Sequence, residues 1–311
     1  MSQITRMLLL ASLLCPAPAS SQLRELATGS TAEFRAMHAP DARIVWAAGR
    51  AGSYALSTDR GSTWHADSVP GAAGLFFTGV WAANARTAHL LGTSFDGGLA
   101  RIYRTDDGGA TWRIQWEREQ DGVFMDALRC WDVDRCVAFG DPVGGAFMIA
   151  RTTNGRDWQL VPSEAVPAPL EGEAGFAASG TALTTFAGGH AWIGTGGGPS
   201  ARVYHSDDFG ATWTAHTTPL AGGSTAGIFG IAFRDDRNGA AVGGDYQQRA
   251  ERQMNVLRTR DGGRTWTIVS ASLPHGVRYG AAYSPVSVNG VHPLLATGPS
   301  GVGVSYDDGA T

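Results

Sequence analysis

The feature that most constrains the fold is a short motif that recurs about every fifty residues. Four copies fit Ser/Thr-x-Asp-x-Gly-x-Thr-Trp, and they span 57–64, 105–112, 206–213 and 259–266. A fifth copy is one residue shorter and carries Asn154 at the aspartate position, and a sixth, "SYDDGAT", lacks the tryptophan. The five tryptophans, separated by 48, 46, 55 and 53 residues, are Trp64, Trp112, Trp158, Trp213 and Trp266. Self-similarity at a fixed period of this length is typical of repeat architectures.

The segments around each motif repeat as well. Apolar runs such as "FFTGVWA" and "IFGIAFR" precede a run that ends near glycine, then a short strand such as "RIYRT", the motif, and a last strand such as "TWRIQW". Each unit therefore contains four short strands separated by glycine turns, which suits the 43 glycines of the chain. Four strands per period of this length predict an all-β fold, a β-propeller of four-stranded blades, whose strands we name A to D from the axis outward.

Six units are visible, and the sixth lacks strand D. The segment "QLRELATGS" precedes the first strand A and is placed to close the last blade, so we expect a seven-bladed propeller of which the sequence carries six units. A six-bladed ring, with the same segment completing the sixth unit, is the alternative. The predicted domains are a signal peptide at 1–21 and a single propeller at 22–311.

The N-terminal run and the composition indicate an exported protein, periplasmic or extracellular. "MSQITRMLLLASLLCPAPASSQ" has one arginine, an apolar stretch and small residues, the layout of a secretory signal peptide. No later segment is long and apolar enough to predict a membrane span. All 24 basic residues are arginines, which excludes lysine chemistry. The net charge of −4, with interspersed signs, argues against a nucleic-acid partner.

Two cysteines follow the signal peptide. Cys130 and Cys136 are separated by five residues in "LRCWDVDRCVAF". An even number of cysteines in an oxidising compartment favours a disulfide, here across a β-hairpin turn. A zinc site is not expected, because there are only two thiols and no histidine near them in the sequence.

The motif itself is expected to stabilise a turn. Its aspartate can accept hydrogen bonds from backbone N–H groups, its glycine supplies positive φ, and its tryptophan can pack between blades. Catalysis has no use for one copy per blade, and the acids lack the spacing of a calcium loop. We therefore assign structural roles to the tryptophans named above and to the motif aspartates, which are Asp59, Asp107, Asp208, Asp261 and Asp307.

Candidate binding residues lie on the opposite face, where the D–A and B–C connections meet. Starts of strands A and ends of strands B vary between units while the motif hardly changes, as expected of a recognition site on a repeated scaffold. The ligand- or partner-binding candidates are Arg35, Arg50, Asp126, Asp141, Asp245 and Tyr246. Asp126 and Asp141 belong to one unit and could raise each other's pKa. Two insertions on this face, 161–180 and 246–255, could cap the channel or bind a partner, or be plain surface loops.

The motif resembles the Asp-box, or BNR repeat, of sialidases and sortilin-type receptors. The order of strands with "RTxDGGxTW"-like turns is most similar to bacterial propellers of the photosystem II assembly and stability factor type. This resemblance covers residues 23–311 and implies an exported assembly or binding role with no defined chemistry. We therefore expect a non-enzymatic binding propeller that takes a protein partner or a saccharide over the central channel, without cofactor or metal.

Two enzymatic alternatives remain. A sialidase-like glycosidase needs an arginine triad, a tyrosine–glutamate pair and an acidic residue. Phe34-Arg35 lacks the proline of the sialidase motif, and Arg278-Tyr279 and Asp126 could fill other roles. No glutamate is expected in the core of any strand, so the sequence does not support the nucleophile pair. An oxidoreductase is the further alternative, but "GTGGGP" ends a strand and precedes no helix, so it is not a dinucleotide fingerprint.

Overall fold

Antiparallel blades of consecutive strands follow one another along the chain, and one pairing, between Gly196 and Gly227, joins the fourth and fifth blades into a single sheet. The computed structural model describes residues 26–176, 179–249, 255–269, 276–307 and 309. Blade 1 comprises β1 (Phe34–His38), β2 (Val45–Gly49), β3 (Ser53–Ser57) and β4 (His65–Ser68). Blade 2 comprises β5 (Phe76–Ala82), β6 (Ala88–Thr93), β7 (Leu99–Thr105) and β8 (Arg113–Glu119). Blade 3 comprises β9 (Met125–Cys130), β10 (Cys136–Val143), β11 (Ala146–Thr152) and β12 (Trp158–Leu160).

The second half repeats the pattern with one addition. A two-residue strand, β13 (Ala174–Gly175), precedes blade 4 and pairs with its second strand. Blade 4 comprises β14 (Leu183–Phe186), β15 (His190–Gly196), β16 (Ser200–Ser206) and β17 (Thr214–Ala221). Blade 5 comprises β18 (Ala226–Phe233), β19 (Gly239–Asp245), β20 (Val256–Thr259) and β21 (Thr267–Ile268). Blade 6 comprises β22 (Gly280–Tyr283), β23 (Leu294–Gly298) and β24 (Gly301–Ser305). The propeller fold and its six visible units are thus confirmed, whereas a seventh blade stays a prediction.

The first strands of neighbouring blades lie side by side. Contacts run from β1 to β5, from β5 to β9, and on through β14 and β18 to β22. Each first strand begins beside the end of the second, as Phe34 pairs with Gly49 in blade 1. The D–A and B–C connections therefore share one face, which we call the recognition face, and the A–B turns and motif turns share the other, which we call the box face.

Hydrogen bonds of the motif close each turn on the box face. At 259–266, the Asp261 carboxylate accepts the Thr265 N–H (2.9 Å) and the Thr265 hydroxyl (2.6 Å). The Thr259 hydroxyl donates to the same carboxylate (2.8 Å) and accepts the Gly263 N–H (2.9 Å). The corresponding bonds recur at Asp59, Asp107 and Asp208, and Ser305 donates to Asp307. Each motif aspartate is therefore engaged in its own turn.

The motif tryptophans pack mainly on the preceding blade. Trp112 forms edge contacts with Trp46 and Tyr54 of blade 1, with centroids 6.2 and 5.3 Å apart. Trp158, Trp213 and Trp266 share hydrophobic clusters with residues of blades 2, 3 and 4. Burial of an indole removes on the order of 200 Å² of its surface from water, so these contacts stabilise the packing of one blade on the next.

The predicted disulfide is present. Cys130 and Cys136 face each other across β9 and β10 and are bonded. The closing strand predicted at 22–30 stays a prediction for residues 22–25, which lie outside the described residues. Its described part, residues 26–30, forms no strand, and Leu26 lies against the first motif turn at Gly61. The predicted signal peptide at 1–21 lies outside the described residues.

Within the described ranges, no helix has the length and apolar character needed to cross a membrane.

Candidate functional site

Two predicted residues, Arg35 and Arg50, form a pair on the recognition face. Arg35 occupies a register irregularity at the start of β1, and Arg50 follows β2 directly. Both bind the Glu33 carboxylate, through Nε at 3.1 and 2.6 Å. The hydrogen bond from Arg35 and the charge of Arg50 hold the pKa of Glu33 below its usual value. Each arginine side chain stays 46% exposed, so two guanidiniums share one carboxylate and keep donors for a ligand.

Two phenyl rings extend this surface. Phe76, which begins β5, stacks on Phe95 of the B–C loop of blade 2, with centroids 5.0 Å apart and planes 11° apart. The Arg50 guanidinium lies 4.5 Å from the Phe95 centroid, and Arg35 lies 5.5 Å from that of Phe76. Phe95 is 58% exposed, whereas Phe76 is buried, with 2% exposure, so Phe95 supplies the accessible ring. We call Arg35, Arg50, Glu33, Phe76 and Phe95 the arginine–phenylalanine patch.

A depression opens next to the patch between blades 1 and 2. It encloses about 550 Å³ and is lined by the D–A connection at Gly71–Leu75 and by the B–C loop that carries Phe95. Arg101, which pairs with Glu117 at 2.5 Å, lies in its wall, and Asp96, Glu119 and Asp121 give its rim acidic character. A chain segment that contacts the patch could continue outward along this depression.

The second predicted pair, Asp126 and Asp141, lies in blade 3 and is covered. Asp126 is 2% exposed, and its Oδ2 has no hydrogen-bond partner. Asp141 Oδ1 accepts the Gly175 N–H at 2.8 Å. Burial raises the pKa of Asp126 well above its usual value, and the charge of Asp141 raises it further. Burial also raises the pKa of Asp141, which the Gly175 N–H partly offsets. At least one of the two carboxyls is therefore protonated far above the usual carboxyl range.

The insertion at 161–180 provides the cover. Its strand β13 pairs with Thr195 and Gly196 of β15 and places Gly175 directly over Asp126. A Cβ at Gly175 would lie 2.3 Å from Asp126 Oδ2, so only glycine fits there. The insertion thus covers the acidic pair as a strap across blades 3 and 4. Residues 177 and 178 lie outside the described part of the chain.

Glu173 anchors this strap and was not predicted from the sequence. Its side chain is fully buried and forms an ion pair with Arg202 of β16. The same carboxylate accepts the Thr195 hydroxyl at 2.5 Å and the Leu170 N–H at 2.8 Å. Tyr204 completes the group, its hydroxyl 3.3 Å from Glu173 Oε2. Glutamate in a Pro- and Gly-rich insertion gives no sequence signal of burial.

The Tyr204–Glu173–Arg202 group has the residue types of a sialidase nucleophile site but not its accessibility. Tyr204 is 1% exposed and packs on Phe147 at 5.2 Å in the core between blades 3 and 4. Burial and the Glu173 charge raise the pKa of Tyr204. A tyrosine that is buried and held protonated cannot attack a sugar, so this group is a structural anchor.

The third predicted pair lies at the end of β19, where Asp245 is the last residue of the strand and Tyr246 follows it. Asp245 Oδ1 accepts the Gln247 N–H at 2.9 Å, which forms a local turn. Tyr246 approaches Phe176 of the strap and Phe229 of β18, both at 6.4 Å between centroids, and Phe229 contacts Tyr279 at 5.1 Å. The insertion at 246–255 is described only through residue 249 and at residue 255.

The six predicted residues therefore form three separate pairs around the recognition face. Among the described residues, no ion pair or hydrogen bond joins Arg35 or Arg50 to Asp126 or Asp141. The sequence analysis missed Glu33, Phe76 and Phe95. A lone phenylalanine in the polar loop "TSFDGG" was the available signal for Phe95.

No protein-family model matches the chain, and no curated protein matches it. Among solved structures, YCF48 bound to D1 peptide matches at 16% identity over 90% of this chain and 93% of that chain, with a TM-score of 0.44. YCF48 from Cyanidioschyzon merolae matches at 14% identity over 91% and 98%, with a TM-score of 0.45.

The GH74 xyloglucanase from Xanthomonas campestris matches at 17% identity over 89% of this chain, with a TM-score of 0.61. This chain spans 45% of that enzyme. At such identities the likeness extends to the fold alone.

Proposed function

We propose that this chain is an exported, non-enzymatic binding propeller that recognises a segment of a protein partner at the arginine–phenylalanine patch. The segment presents a carboxylate next to an apolar side chain. The observation that carries the proposal is that two half-exposed guanidiniums, Arg35 and Arg50, share one carboxylate and stand over two stacked phenyl rings.

The chemistry of the patch favours this ligand. Two guanidiniums against one Glu33 carboxylate leave a surplus positive charge, and their N–H groups suit a bidentate carboxylate. The exposed face of Phe95 offers apolar contact beside that charge. Arginine and aromatic residues together are the side chains enriched where protein interfaces are strongest.

Hydrolysis is not favoured, because two carboxyl groups that could serve a glycosidase on this face, Asp126 and Glu173, are not available to a substrate. Asp126 is buried beneath Gly175, and Glu173 is buried in an ion pair with Arg202. A glycosidase needs two accessible carboxyls on either side of a glycosidic bond. Export is supported by the signal-like N-terminus and by the Cys130–Cys136 disulfide, which is typical of oxidising compartments.

A peptide-display selection followed by fluorescence anisotropy tests the proposal. We expect the selected peptides to carry an acidic residue or free C-terminus next to Phe, Leu or Ile, and to lose affinity when the carboxylate is amidated. Phe95→Ala should weaken binding, whereas Leu160→Ala, which removes an exposed apolar side chain of β12, should not. Selection of peptides without a carboxylate requirement, or binding only of xyloglucan oligosaccharides or sialyllactose, would contradict the proposal.

A further inference from the structure

His89 is buried with both ring nitrogens unsatisfied. It lies in β6 with no measurable exposure, and neither Nδ1 nor Nε2 has a hydrogen-bond partner. Its ring lies against Trp158 at 6.1 Å and Trp81 at 6.2 Å. Leaving a buried polar group unpaired costs about 1–3 kcal/mol, so a buried imidazole with two orphaned nitrogens requires an explanation.

The disulfide of the neighbouring blade lies beside this ring. The Cys130 and Cys136 sulfurs and a nitrogen of His89 all lie within 4.8 Å of one another, and all three side chains are buried. Sequence reasoning excluded a zinc site because no histidine is near the cysteines along the chain. The fold overturns that premise, since packing of blade 2 on blade 3 brings His89 to them.

We propose that Cys130, Cys136 and His89 form a redox-gated metal site, which is closed while the disulfide is intact and which binds one Zn²⁺ ion once the disulfide is reduced. Two thiolates and one imidazole are three of the four ligands of a tetrahedral zinc site, and a water molecule completes the coordination. The oxidised chain holds the sulfurs in a covalent bond and has no thiolate to offer a metal.

The charge balance favours this occupant. Two thiolates neutralise the double charge of Zn²⁺, so the bound group carries no net charge into the buried space between blades. The His89 ring nitrogens have no hydrogen-bond partner in this space, and an imidazole nitrogen is a common ligand of zinc.

The redox step balances with a dithiol reductant. The dithiol supplies two electrons and two protons, becomes a cyclic disulfide, and converts the Cys130–Cys136 bond to two thiols. Zn²⁺ then displaces one proton from each thiol as the two Zn–S bonds form. Thiol–disulfide exchange with a small-molecule disulfide, which takes up the two electrons and leaves as two thiolates, re-forms the Cys130–Cys136 bond and releases Zn²⁺. Occupancy therefore follows the redox state of the surroundings.

Co²⁺ titration of the full chain tests the site. Protein is reduced with a dithiol, desalted under inert gas, checked for two free thiols, and titrated with Co²⁺ and then Zn²⁺. We expect one Co²⁺ per chain, with sulfur-to-cobalt charge-transfer absorption that Zn²⁺ displaces. Oxidised protein should show no such absorption. His89→Asn should weaken the affinity about tenfold or more, whereas His65→Asn, at an exposed position of β4, should leave it unchanged.

Thermal stability gives a second readout for variants that fold poorly. Zn²⁺ should raise the Tm of the reduced chain but not that of the oxidised chain or of a Cys130→Ser, Cys136→Ser variant. The proposal is overturned by absence of the charge-transfer band in reduced protein, by equal affinities of the His89 and His65 variants, or by reduced protein that Zn²⁺ does not stabilise.

Discussion

Substitution of Glu173 by alanine should strongly destabilise the protein. The wild-type carboxylate is fully buried and receives hydrogen bonds from Arg202, Thr195 and the Leu170 N–H. The alanine variant leaves Arg202, whose side chain is only 11% exposed, without its carboxylate. It also removes the side-chain anchor of the strap on blade 4, whereas the pairing of β13 with β15 remains.

The magnitude follows from the loss of one partner of a buried ion pair. Such a loss costs about 3–5 kcal/mol, because the remaining charge stays desolvated. A chain of this size loses roughly 2–4 °C in Tm for each kcal/mol, so the expected decrease is roughly 6–20 °C. Glu173→Gln keeps two hydrogen-bonding atoms but no charge, and should fall between alanine and wild type.

Urea unfolding followed by tryptophan fluorescence measures the effect. Glu164→Ala is the matched control, because Glu164 lies in the same insertion and is exposed, and it should change the free energy of unfolding by about 0.5 kcal/mol or less. A Glu173→Ala variant that unfolds at the same urea concentration as the Glu164→Ala variant would refute the role of Glu173 as the anchor of the strap.

Three further substitutions test neighbouring parts of the structure. Because the pKa of Asp126 is raised on folding, its favourable contribution is complete at low pH and is lost as pH rises through the folded value. Asp126→Asn should therefore gain stability over wild type as pH rises above about 4, and a pH-independent difference in thermal melts would be contrary evidence. The Thr111 hydroxyl and N–H lower the pKa of Asp107 to about 2, so its contribution exists above the unfolded pKa and is lost as pH falls from about 4 toward 2. The destabilisation by Asp107→Ala at neutral pH should shrink over that interval in melts, and a constant difference would count against the turn geometry. Gly175→Ala should cost about 1–3 kcal/mol through its clash with Asp126, whereas Gly74→Ala, with open space at its Cβ, should be nearly neutral in urea unfolding; equal effects would contradict the close packing of the strap.

The fold was predictable because the motif is local and repeated. Each copy closes its own turn with hydrogen bonds between residues two to four positions apart, as around Asp261, so every copy reports the same geometry. The disulfide was predictable for the same reason, since its cysteines are hairpin neighbours. The closing strand was not, because its pairing depends on distant chain segments.

The site was predictable only as far as the repeat could place it. The register identified Arg35 and Arg50 as residues of the recognition face, but their shared carboxylate, Glu33, and the exposed ring of Phe95 lie outside the repeated strands. The proximity of Asp126 and Asp141 was expected from their positions in one unit. The strap that covers them was not, because it is held by Glu173, which forms an ion pair with an arginine 29 residues away. Long-range partners of this kind leave no periodic trace in the sequence.

The most direct test of the account is the affinity of an Arg35→Ala, Arg50→Ala variant for a selected carboxylate-bearing peptide, measured by fluorescence anisotropy. Loss of two charge-assisted contacts should raise Kd about tenfold or more, since about 1.4 kcal/mol corresponds to a factor of ten. Arg43→Ala, in the exposed A–B turn of the same blade, should leave Kd unchanged. Unchanged affinity in the double variant, or an equal loss in the Arg43 variant, would contradict recognition by the arginine–phenylalanine patch.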